Sequence, residues 1–292
     1  MILLIGNKGL LGTELELYLR SHSIAYVPYD KESDIGILDN LHNICRNKEI
    51  DWIINCSGIS NADLAENNPS LAYKVNVEGI KNICEIAKQY NSKLIHISDV
   101  QIFNGKKDTE YSEFDIPDPI NIYGKSKLEG ENIIKKSLEK YFIIRSSWLY
   151  GKYGITFVST LFKLIGKQTP KIQIVDDETG SPTYTKDLVE GIFKIIESNS
   201  TRYGVYNFSN KNKTDWFEFA KEVYRLIMIY EVLPRTLQRF VTIEPITSSE
   251  YKTSAKRLVN SYLNSRNFEN TFGFQIRPWK IALEDFISTL KK

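Results

Sequence analysis

The stretch that decides the fold is residues 2–12, ILLIGNKGLLG, in which an apolar run leads directly into three glycines spaced three residues apart. The apolar run predicts a buried strand, and the amphipathic residues 13–19 predict the helix that follows it. Gly6 permits the tight turn between them, Gly9 lets the backbone approach a pyrophosphate, and Gly12 lets helix and strand pack closely. The spacing G-x-x-G-x-x-G therefore indicates a dinucleotide-phosphate site, with plain turn glycines as the alternative.

Composition limits the fold and the kind of ligand. The 292 residues suffice for one large domain or two unequal lobes, and a net charge of +2 with scattered Lys and Arg argues against nucleic acid as a partner. No apolar run approaches the ~20 residues of a membrane span. Three cysteines lack C-x-x-C spacing, so we expect a reducing, cytoplasmic setting without disulfides. The three histidines lack metal-ligand spacing, so no metal site is expected, and His96 is expected in the core.

Beyond the first stretch, apolar strands alternate with amphipathic helices, the order that produces a parallel sheet with right-handed crossovers. Strands are predicted at residues 25–29, 52–58, 93–97 and 141–150, and helices at 38–48, 69–90 and 121–140. We expect a doubly wound α/β fold, with a parallel Rossmann-type sheet over residues 1–150 completed by parts of 170–210. A smaller mixed α/β lobe is expected mainly from residues 151–292. Ligands of such sheets bind beyond the carboxyl ends of the strands.

An acidic residue, Asp30, closes the second predicted strand about 20 residues beyond the glycine turn, where dinucleotide-binding folds place the acid that contacts the adenosine ribose. A carboxylate there accepts from both ribose hydroxyls and repels a 2′-phosphate, which favours NADH over NADPH. A turn aspartate without a ligand is the alternative. Asp34 and Ile35 offer a second acid and an apolar contact for adenine.

Tyr123 and Lys127 lie four residues apart at the start of a predicted helix, so both side chains project from one face. A tyrosine with its ordinary pKa of about 10 is a poor proton donor or acceptor at neutral pH. A nearby ammonium stabilises the phenolate, so we expect Lys127 to lower the pKa of Tyr123 and make it a usable acid or base. A solvated helix face is the alternative, but the glycine turn and the strand edge at residues 98–103 favour catalysis.

Six stretches follow one another in a recognisable order. They are GNKGLLG at 6–12, NCSG at 55–58, NVEG at 76–79, YGKSKLEGE at 123–131, RSSWLYG at 145–151 and GSPTYTKDL at 180–188. In these stretches the chain resembles the dTDP-4-dehydrorhamnose reductases, a family of the extended short-chain dehydrogenase/reductase superfamily, and the resemblance covers nearly its whole length. The tyrosine–lysine motif is typical of the superfamily, whereas the last two stretches are specific to the reductase branch.

Matching positions carry the family's roles onto this chain. The resemblance implies that the cofactor is bound by Gly6, Gly9, Leu10, Leu11, Gly12, Asp30, Asp34, Ile35, Gly58, Ile59, Ser60, Ile97, Tyr123 and Lys127. It makes Tyr123 the acid, lets Lys127 bind the nicotinamide ribose, and places Trp148 in the sugar pocket. Trp216 and Trp279, at the starts of later predicted helices, are expected in the core.

The substrate side departs from the family pattern. Where the family has S-T-D-Y-V-F, this chain has SDVQIF at 98–103, which puts Asp99 in place of a donor hydroxyl and Val100 in place of an acid. The matching positions imply that both residues contact the substrate and that Asp99 also takes part in catalysis. An ionised Asp99 cannot donate a hydrogen bond and raises the pKa of Tyr123, whereas a protonated one donates. At 257–263 the pattern R-P-x-x-S-R-L loses its second arginine.

The resemblance implies a reductase that uses NADH or NADPH, with NADH favoured, on the 4-keto group of a nucleotide-activated deoxysugar. Its partners are then the nucleotide sugar and, as an option, a second copy of the chain in a homodimer. Two alternatives stay open. One is an epimerase or dehydratase of the same superfamily, in which the cofactor is oxidised and re-reduced in one cycle. The other is a non-catalytic dinucleotide-binding regulatory subunit like that of methionine adenosyltransferase, which the loss of the donor hydroxyl at Asp99 keeps open.

Overall fold

A computed structural model describes residues 1–30, 34–167, 169–233 and 241–291. Within these ranges the strands are β1 (Ile2–Ile5), β2 (Tyr26–Tyr29), β3 (Trp52–Asn55), β4 (Lys93–Asp99), β5 (Tyr141–Ser146), β6 (Leu149–Tyr150), β7 (Lys171–Val175), β8 (Thr179–Gly180), β9 (Thr183–Tyr184), β10 (Gly204–Asn207), β11 (Thr214–Asp215), β12 (Thr242–Ile246) and β13 (Asn260–Ser261). The helices are α1 (Leu10–Ser21), α2 (Leu38–Cys45), α3 (Ala62–Asn67), α4 (Pro69–Tyr73), α5 (Gly79–Gln89), α6 (Ile122–Ser137), α7 (Phe157–Gly166), α8 (Thr185–Glu197), α9 (Trp216–Ile229), α10 (Arg266–Phe272) and α11 (Trp279–Ser288). A π-helical turn, Lys74–Glu78, joins α4 to α5, and a 3₁₀ turn, Val100–Ile102, follows β4. In these described ranges, no helix is long and apolar enough to span a bilayer.

Six strands form a parallel sheet in the order β10-β5-β4-β3-β1-β2. The chain moves from β1 outward to β2, returns across β1 to β3, and then continues in the opposite direction. The winding therefore reverses between β1 and β3, and ligands of doubly wound sheets bind in the crevice at such a switch point. This topology confirms the predicted doubly wound α/β fold.

Side-chain alternation along β1 explains why the core has two sides. Ile2 and Leu4 join an apolar cluster beneath α1 and α8, whereas Leu3 and Ile5 join a second cluster beneath α2, α5 and α6. Successive strand residues point to opposite faces, so an unbroken apolar run is buried on both. Burial of each such side chain contributes about 1.5–3 kcal/mol to the free energy of unfolding. With an apolar cluster on each face, the sheet lies at the centre of the fold.

A third apolar cluster lies outside the large sheet and joins α7, α9 and α11 with β7 and β12. In contrast, β10 pairs with β5 at the edge of the large sheet, and α8 packs against α1. Residues after 150 therefore contribute both to the Rossmann-type layers and to a smaller mixed layer. The division of the chain near residue 150 stays a prediction.

The helix predicted over residues 69–90 is interrupted in the structure. α4 ends at Tyr73, five residues form the π-helical turn, and α5 begins at Gly79. The turn buries Asn76, which is 3% exposed, and a Cβ at Gly130 of α6 would lie 2.5 Å from the Asn76 carbonyl oxygen. The π turn thus lets Asn76 face α6 while the apolar side of α5 faces the sheet.

The strand predicted over residues 141–150 is also broken. β5 ends at Ser146, and Trp148 adopts a left-handed backbone conformation with φ of 46°. This conformation is uncommon for a bulky side chain, and nothing in the apolar pattern of the segment predicts it. The chain leaves the large sheet at this point, and β6 pairs with β9 instead.

A buried ion pair holds α6 against the sheet. Arg145 on β5 donates from Nε to Oε1 of Glu131 at 3.0 Å and from Nη2 to Oε2 at 2.8 Å. Ser98 on β4 donates to the same carboxylate at 2.6 Å, and Lys135 lies 3.0 Å from it. Burial alone would raise the pKa of Glu131, but the hydrogen bonds and charge of Arg145 outweigh burial and lower this pKa to about 2.

Glu131→Gln would leave Arg145 as an unpaired buried cation. We expect the free energy of unfolding at neutral pH to fall by about 3–5 kcal/mol, the range for breaking a buried pair. The folded-state pKa of Glu131 is depressed, so its contribution is complete above its ordinary pKa of 4.5 and is lost as pH falls toward 2. Denaturant unfolding of both proteins from neutral to acid pH measures whether their stabilities converge.

Glu78→Gln is the matched control for this prediction. Glu78 forms an exposed pair with Lys81 on the surface, and breaking such a pair costs below about 1 kcal/mol. Equal losses of stability in the two variants would contradict the role given to the buried pair.

Candidate active site

The glycine turn forms a tight cradle at the switch point. Gly6 has a φ of 80°, a conformation that favours glycine, and its N–H donates to the last carbonyl of β2 at 2.7 Å. A Cβ at Gly12 would lie 1.9 Å from the carbonyl oxygen of Gly6, so α1 can pack here only because this residue has no side chain. Gly9 caps α1, and the N–H groups of Leu10 and Leu11 in the first turn have no intrahelical acceptor. These free N–H groups and the helix dipole form a site that fits a pyrophosphate.

The acid at the end of β2 has a buried oxygen that no described residue contacts by a hydrogen bond. Asp30 directly follows β2, and its Oδ2 is buried with no hydrogen-bond partner in the part of the chain that the structure describes. Ribose hydroxyls would satisfy this oxygen. Asp34 instead accepts from Lys74 Nζ at 2.6 Å and from the Gly36 N–H at 2.9 Å, interactions that lower its pKa. The side chain of Ile35 is buried in the core, so Asp30 is the residue of this group that fits a ribose without losing a protein contact.

Gly58, Ile59 and Ser60 follow β3 at the mouth of the crevice. The Ile59 N–H donates to Asn76 Oδ1 at 2.9 Å, and Asn76 Nδ2 donates back to the Ile59 carbonyl at 3.2 Å. A Cβ at Gly58 would lie 3.1 Å from Asn76 Oδ1 and 3.8 Å from Lys127 Nζ. Gly58 and Ser60 are exposed, so this loop offers its backbone to a ligand beside the lysine.

Helix α6 and strand β4 bring Tyr123, Lys127 and Asp99 together. Lys127 Nζ donates to the carbonyl of Ile97 at 2.7 Å. One Asp99 oxygen accepts from the Gln101 N–H at 2.9 Å, and the carboxylate is also hydrogen-bonded to the Tyr123 side chain. Tyr123 and Lys127 are each 5% exposed. The pair therefore lies in a buried site and not on a solvated helix face.

Burial sets the proton affinities of these three groups. It raises the pKa of Tyr123 well above its ordinary value of 10, and the charge and hydrogen bond of Asp99 raise it further. Burial also raises the pKa of Asp99, an effect that the Gln101 N–H, Tyr123 and the charge of Lys127 partly offset. The pKa of Lys127 is lowered by burial to about 8, against the pull of nearby carboxylates.

These directions correct one expectation and support another. Lys127 was expected to lower the pKa of Tyr123, but its amine binds the Ile97 carbonyl and the pKa of Tyr123 is raised. Asp99 was expected to raise the pKa of Tyr123, and the structure gives that direction because the carboxylate bonds directly to the phenol.

Val100 contributes its side chain to the core. It begins the 3₁₀ turn, is 2% exposed, and belongs to an apolar cluster with Ile102, Phe103 and Leu258. The predicted substrate contact of Val100 is therefore restricted to its backbone.

Trp148 stacks on a second tryptophan. Its ring lies 3.5 Å from that of Trp216 at an angle of 11°, and a Cβ at Gly180 would lie 2.7 Å from the Trp148 ring. Trp216 was expected in the core, but it is only partly buried, whereas Trp279 is buried as expected. Sequence pattern could not pair the two indoles because they come from distant parts of the chain and meet only through the fold.

Glu178 is a residue of this region that the sequence analysis missed. It precedes β8, and burial raises its pKa to about 7 although the charge of Arg257 and a hydrogen bond with Trp216 lower it. Arg257 also pairs with Asp63 on α3. The available signal was the position of Glu178 two residues before the branch-specific stretch at 180–188.

The whole chain is similar to a family of known proteins. The family model described as the RmlD substrate binding domain matches residues 1–292. A dTDP-4-dehydrorhamnose reductase of Aggregatibacter actinomycetemcomitans is 34% identical over 97% of this chain and 97% of its own length. The crystal structure of a dTDP-4-dehydrorhamnose reductase from Clostridium acetobutylicum is 33% identical with a TM-score of 0.91, and the match covers 100% of this chain and 99% of that one. One from Bacillus anthracis, in complex with NADP, is 36% identical with a TM-score of 0.88, and the match covers 98% and 97%.

Gly12→Ala places a methyl group where the carbonyl of Gly6 stands, so the turn must open to accept it. We expect the affinity for NADH and NADPH, measured by calorimetry, to fall by about tenfold or more. Gly166→Ala is the control, since a Cβ at this position of α7 would meet no atom of the described residues within 4 Å. Thermal melts establish that both variants fold. Wild-type affinity in a folded Gly12→Ala protein would mean that the dinucleotide binds elsewhere.

Proposed function

The chain belongs to the dTDP-4-dehydrorhamnose reductase family, and we propose that it uses a reduced nicotinamide dinucleotide to reduce the 4-keto group of a nucleotide-activated deoxysugar. It is an oxidoreductase of the extended short-chain dehydrogenase/reductase type. The observation that carries the proposal is the cluster of Tyr123, Lys127 and Asp99 at the carboxyl end of β4, in which the tyrosine and the lysine are buried. A proton donor next to a dinucleotide site is what carbonyl reduction requires.

Carbonyl reduction puts a hydride on carbon and a proton on oxygen, and a reduced nicotinamide would supply the hydride when bound. Tyr123 supplies the proton. Its raised pKa keeps the phenol protonated at neutral pH, so the proton is in place when negative charge develops on the carbonyl oxygen of the sugar.

Asp99 takes the place of the family's donor hydroxyl in this proposal, and its protonated form is the one that can donate. Burial raises its pKa, and a protonated carboxyl donates a hydrogen bond as the family's hydroxyl does. The Gln101 N–H holds one of its oxygens, which fixes the carboxyl at the end of β4 next to Tyr123. Asp99 thus fits the place of the missing hydroxyl, while Lys127 is the residue that would bind the nicotinamide ribose.

We also propose a division of labour between the two parts of the chain. Residues 1–150, completed by β10 and α8, bind the dinucleotide, and residues 151–292 mainly form the substrate side. The stacked Trp148 and Trp216 support this, because a partly buried indole pair offers an apolar face to a sugar or a base. A homodimer and a cytoplasmic setting stay predictions.

The cofactor preference is a finer proposal that rests on Asp30. Its Oδ2, which has no hydrogen-bond partner among the described residues, is suited to accept from ribose hydroxyls, and its charge disfavours a 2′-phosphate. NADH is therefore proposed to bind more tightly than NADPH. The Bacillus anthracis relative was solved with NADP, so this preference would distinguish the chain from that relative.

Tyr123→Phe removes the proposed acid and keeps the ring. We expect kcat for reduction of dTDP-4-keto-6-deoxy sugars to fall by about 10²- to 10⁴-fold, measured as consumption of the reduced cofactor at saturating cofactor. Tyr251→Phe, at a surface position that is 59% exposed, is the control and should keep the wild-type rate. Equal rates in the wild type and Tyr123→Phe would remove Tyr123 from the mechanism.

Asp99→Thr in the same assay separates the reductase from its alternatives. Turnover gained only on Asp99→Thr, with an inactive wild type and unchanged cofactor affinity, would identify the chain as a dinucleotide-binding module. Purified protein that carries stoichiometric oxidised NAD and converts the sugar without net use of reduced cofactor would identify an epimerase or dehydratase.

Asp30→Ala tests the cofactor preference. Titration of the wild type should give tighter binding of NADH than of NADPH, and Asp30→Ala should weaken NADH by about tenfold while narrowing or reversing the difference. Asp39→Ala, an exposed acid on α2, is the control and should leave both affinities unchanged. Tighter binding of NADPH by the wild type would leave Asp30 as a turn residue only.

A further inference from the structure

A buried series of polar side chains leads from the end of β3 to Lys127, and the reaction described above makes no use of its inner members. Asn55 is fully buried and His96 is 1% exposed. The two residues lie opposite each other where β3 pairs with β4, so their side chains share one face of the sheet. A histidine in this position was expected to be an ordinary core residue, but it directly adjoins the proposed catalytic amine.

The orientation of the Asn55 amide follows from its neighbours. Asn55 Oδ1 accepts from the Ser57 N–H at 3.0 Å and from the Ser57 hydroxyl at 2.6 Å. Both contacts come from donors, so the oxygen faces Ser57 and the amide nitrogen faces His96, 3.0 Å from its Nδ1. Asn55 therefore donates to Nδ1, which must carry a lone pair.

This contact fixes the state of the imidazole. A neutral ring whose Nδ1 accepts a hydrogen bond carries its proton on Nε2. Burial and the charge of Lys127 lower the pKa of His96 well below its ordinary value, so the ring is neutral at the pH of the reaction. The Nε2–H therefore points at Lys127, whose Nζ lies 3.5 Å away.

An ammonium has three donors and no acceptor, so it cannot bind an N–H. Lys127 instead donates to the carbonyl of Ile97 at 2.7 Å, on the same strand as His96. A lone pair on His96 Nε2 would compete with this carbonyl and draw the amine into the sheet. The Nε2–H offers the ammonium no acceptor on that side, so the remaining protons of the amine lie on the crevice side.

We propose that His96 is a positioning residue for Lys127, because Asn55 holds the imidazole as the Nε2–H tautomer and the ring thereby directs the amine to the Ile97 carbonyl and the crevice. The effect of His96 on turnover rests on the reductase function proposed above, whereas the state of the ring does not.

The direction in which the pKa of Lys127 moves when His96 is replaced shows whether the ring donates toward the amine or accepts from it. The titratable groups that face it or share its helix face are Cys56 after β3, His96 and Asp99 on β4, and Tyr123 and Glu131 on α6. The two carboxylates favour the ammonium, and the N–H of His96 opposes it. Removing an opposing N–H raises the pKa of Lys127, whereas removing a hydrogen-bond acceptor lowers it.

The state of the ring can be measured without turnover. The chain has three histidines, so full-length protein labelled with nitrogen-15 histidine gives a small set of long-range proton–nitrogen correlations. His22→Gln and His42→Gln assign two of these sets and leave that of His96. We expect His96 to be the neutral Nε2–H tautomer throughout the pH range of activity, with and without NADH. An Nδ1–H tautomer or a doubly protonated ring would overturn the inference.

The effect on Lys127 is measured by the pH profile of kcat in the wild type and His96→Leu. Lys127, with its pKa of about 8, gives an alkaline limb as it loses its charge. We expect His96→Leu to move this limb to higher pH by ~0.5–1 unit, and His22→Gln, at an exposed position, to leave it unchanged. A limb that moves to lower pH would show that His96 accepts from the ammonium and would overturn the inference.

Two further outcomes separate this inference from the proposed function. If the wild type reduces none of the nucleotide sugars, the reductase function fails and the tautomer of His96 alone decides the inference. If His96→Leu does not fold, the wild-type tautomer decides it in the same way.

Discussion

The carboxylate of Glu131 is the contact on which the candidate site depends. It lies on α6 one turn beyond Lys127, and it binds Arg145 on β5 and Ser98 on β4 within a fully buried environment. Each of these three elements also supplies or adjoins a group of the site. A buried ion pair contributes less to net stability than its Coulomb energy suggests, because both charges lose their hydration. Its directional hydrogen bonds, however, allow only one position of α6 on the sheet, and this position sets where the phenol and the amine meet Asp99.

Short-range patterns were enough to predict the scaffold. The run ILLI and the glycines after it predicted β1, the turn and α1, because strand burial and turn sterics depend on neighbouring residues alone. The spacing of Tyr123 and Lys127 likewise predicted a shared helix face. What the sequence could not show was how the groups interact. The direction of the Lys127 amine and the rise in the pKa of Tyr123 depend on burial and on the Asp99 carboxylate, which only the packed structure defines.

Contacts between distant segments could not be predicted from the sequence either, because only the packed structure brings those segments together. Trp148, which follows β5 in a left-handed backbone conformation, stacks on Trp216. Neither the apolar pattern around Trp148 nor the helix start at Trp216 contains information about the other residue. Glu178 was missed because an acid in a polar loop is ordinary, and its unusual pKa arises from the tertiary packing around it. The resemblance to a family carried over the roles of residues at matching positions, but it did not show that Trp148, Trp216 and Glu178 meet in the fold.

The π-helical turn at Lys74–Glu78 joins two helical faces that would otherwise be out of phase. Each residue of a regular helix advances the side chains by about 100°, and the π turn adds one residue to the helix. Asn76 can therefore face α6 and the loop after β3, while the apolar side of α5 faces the sheet. A deletion of one residue here would restore a regular helix and rotate one face away from its partner. Such a deletion would either expose the Ile80 and Ile83 side of α5 or withdraw the amide that shapes the crevice. The segment Lys74–Glu78 therefore tolerates substitutions more readily than changes of length. Relatives of this chain should differ in its residues but keep the same number of them.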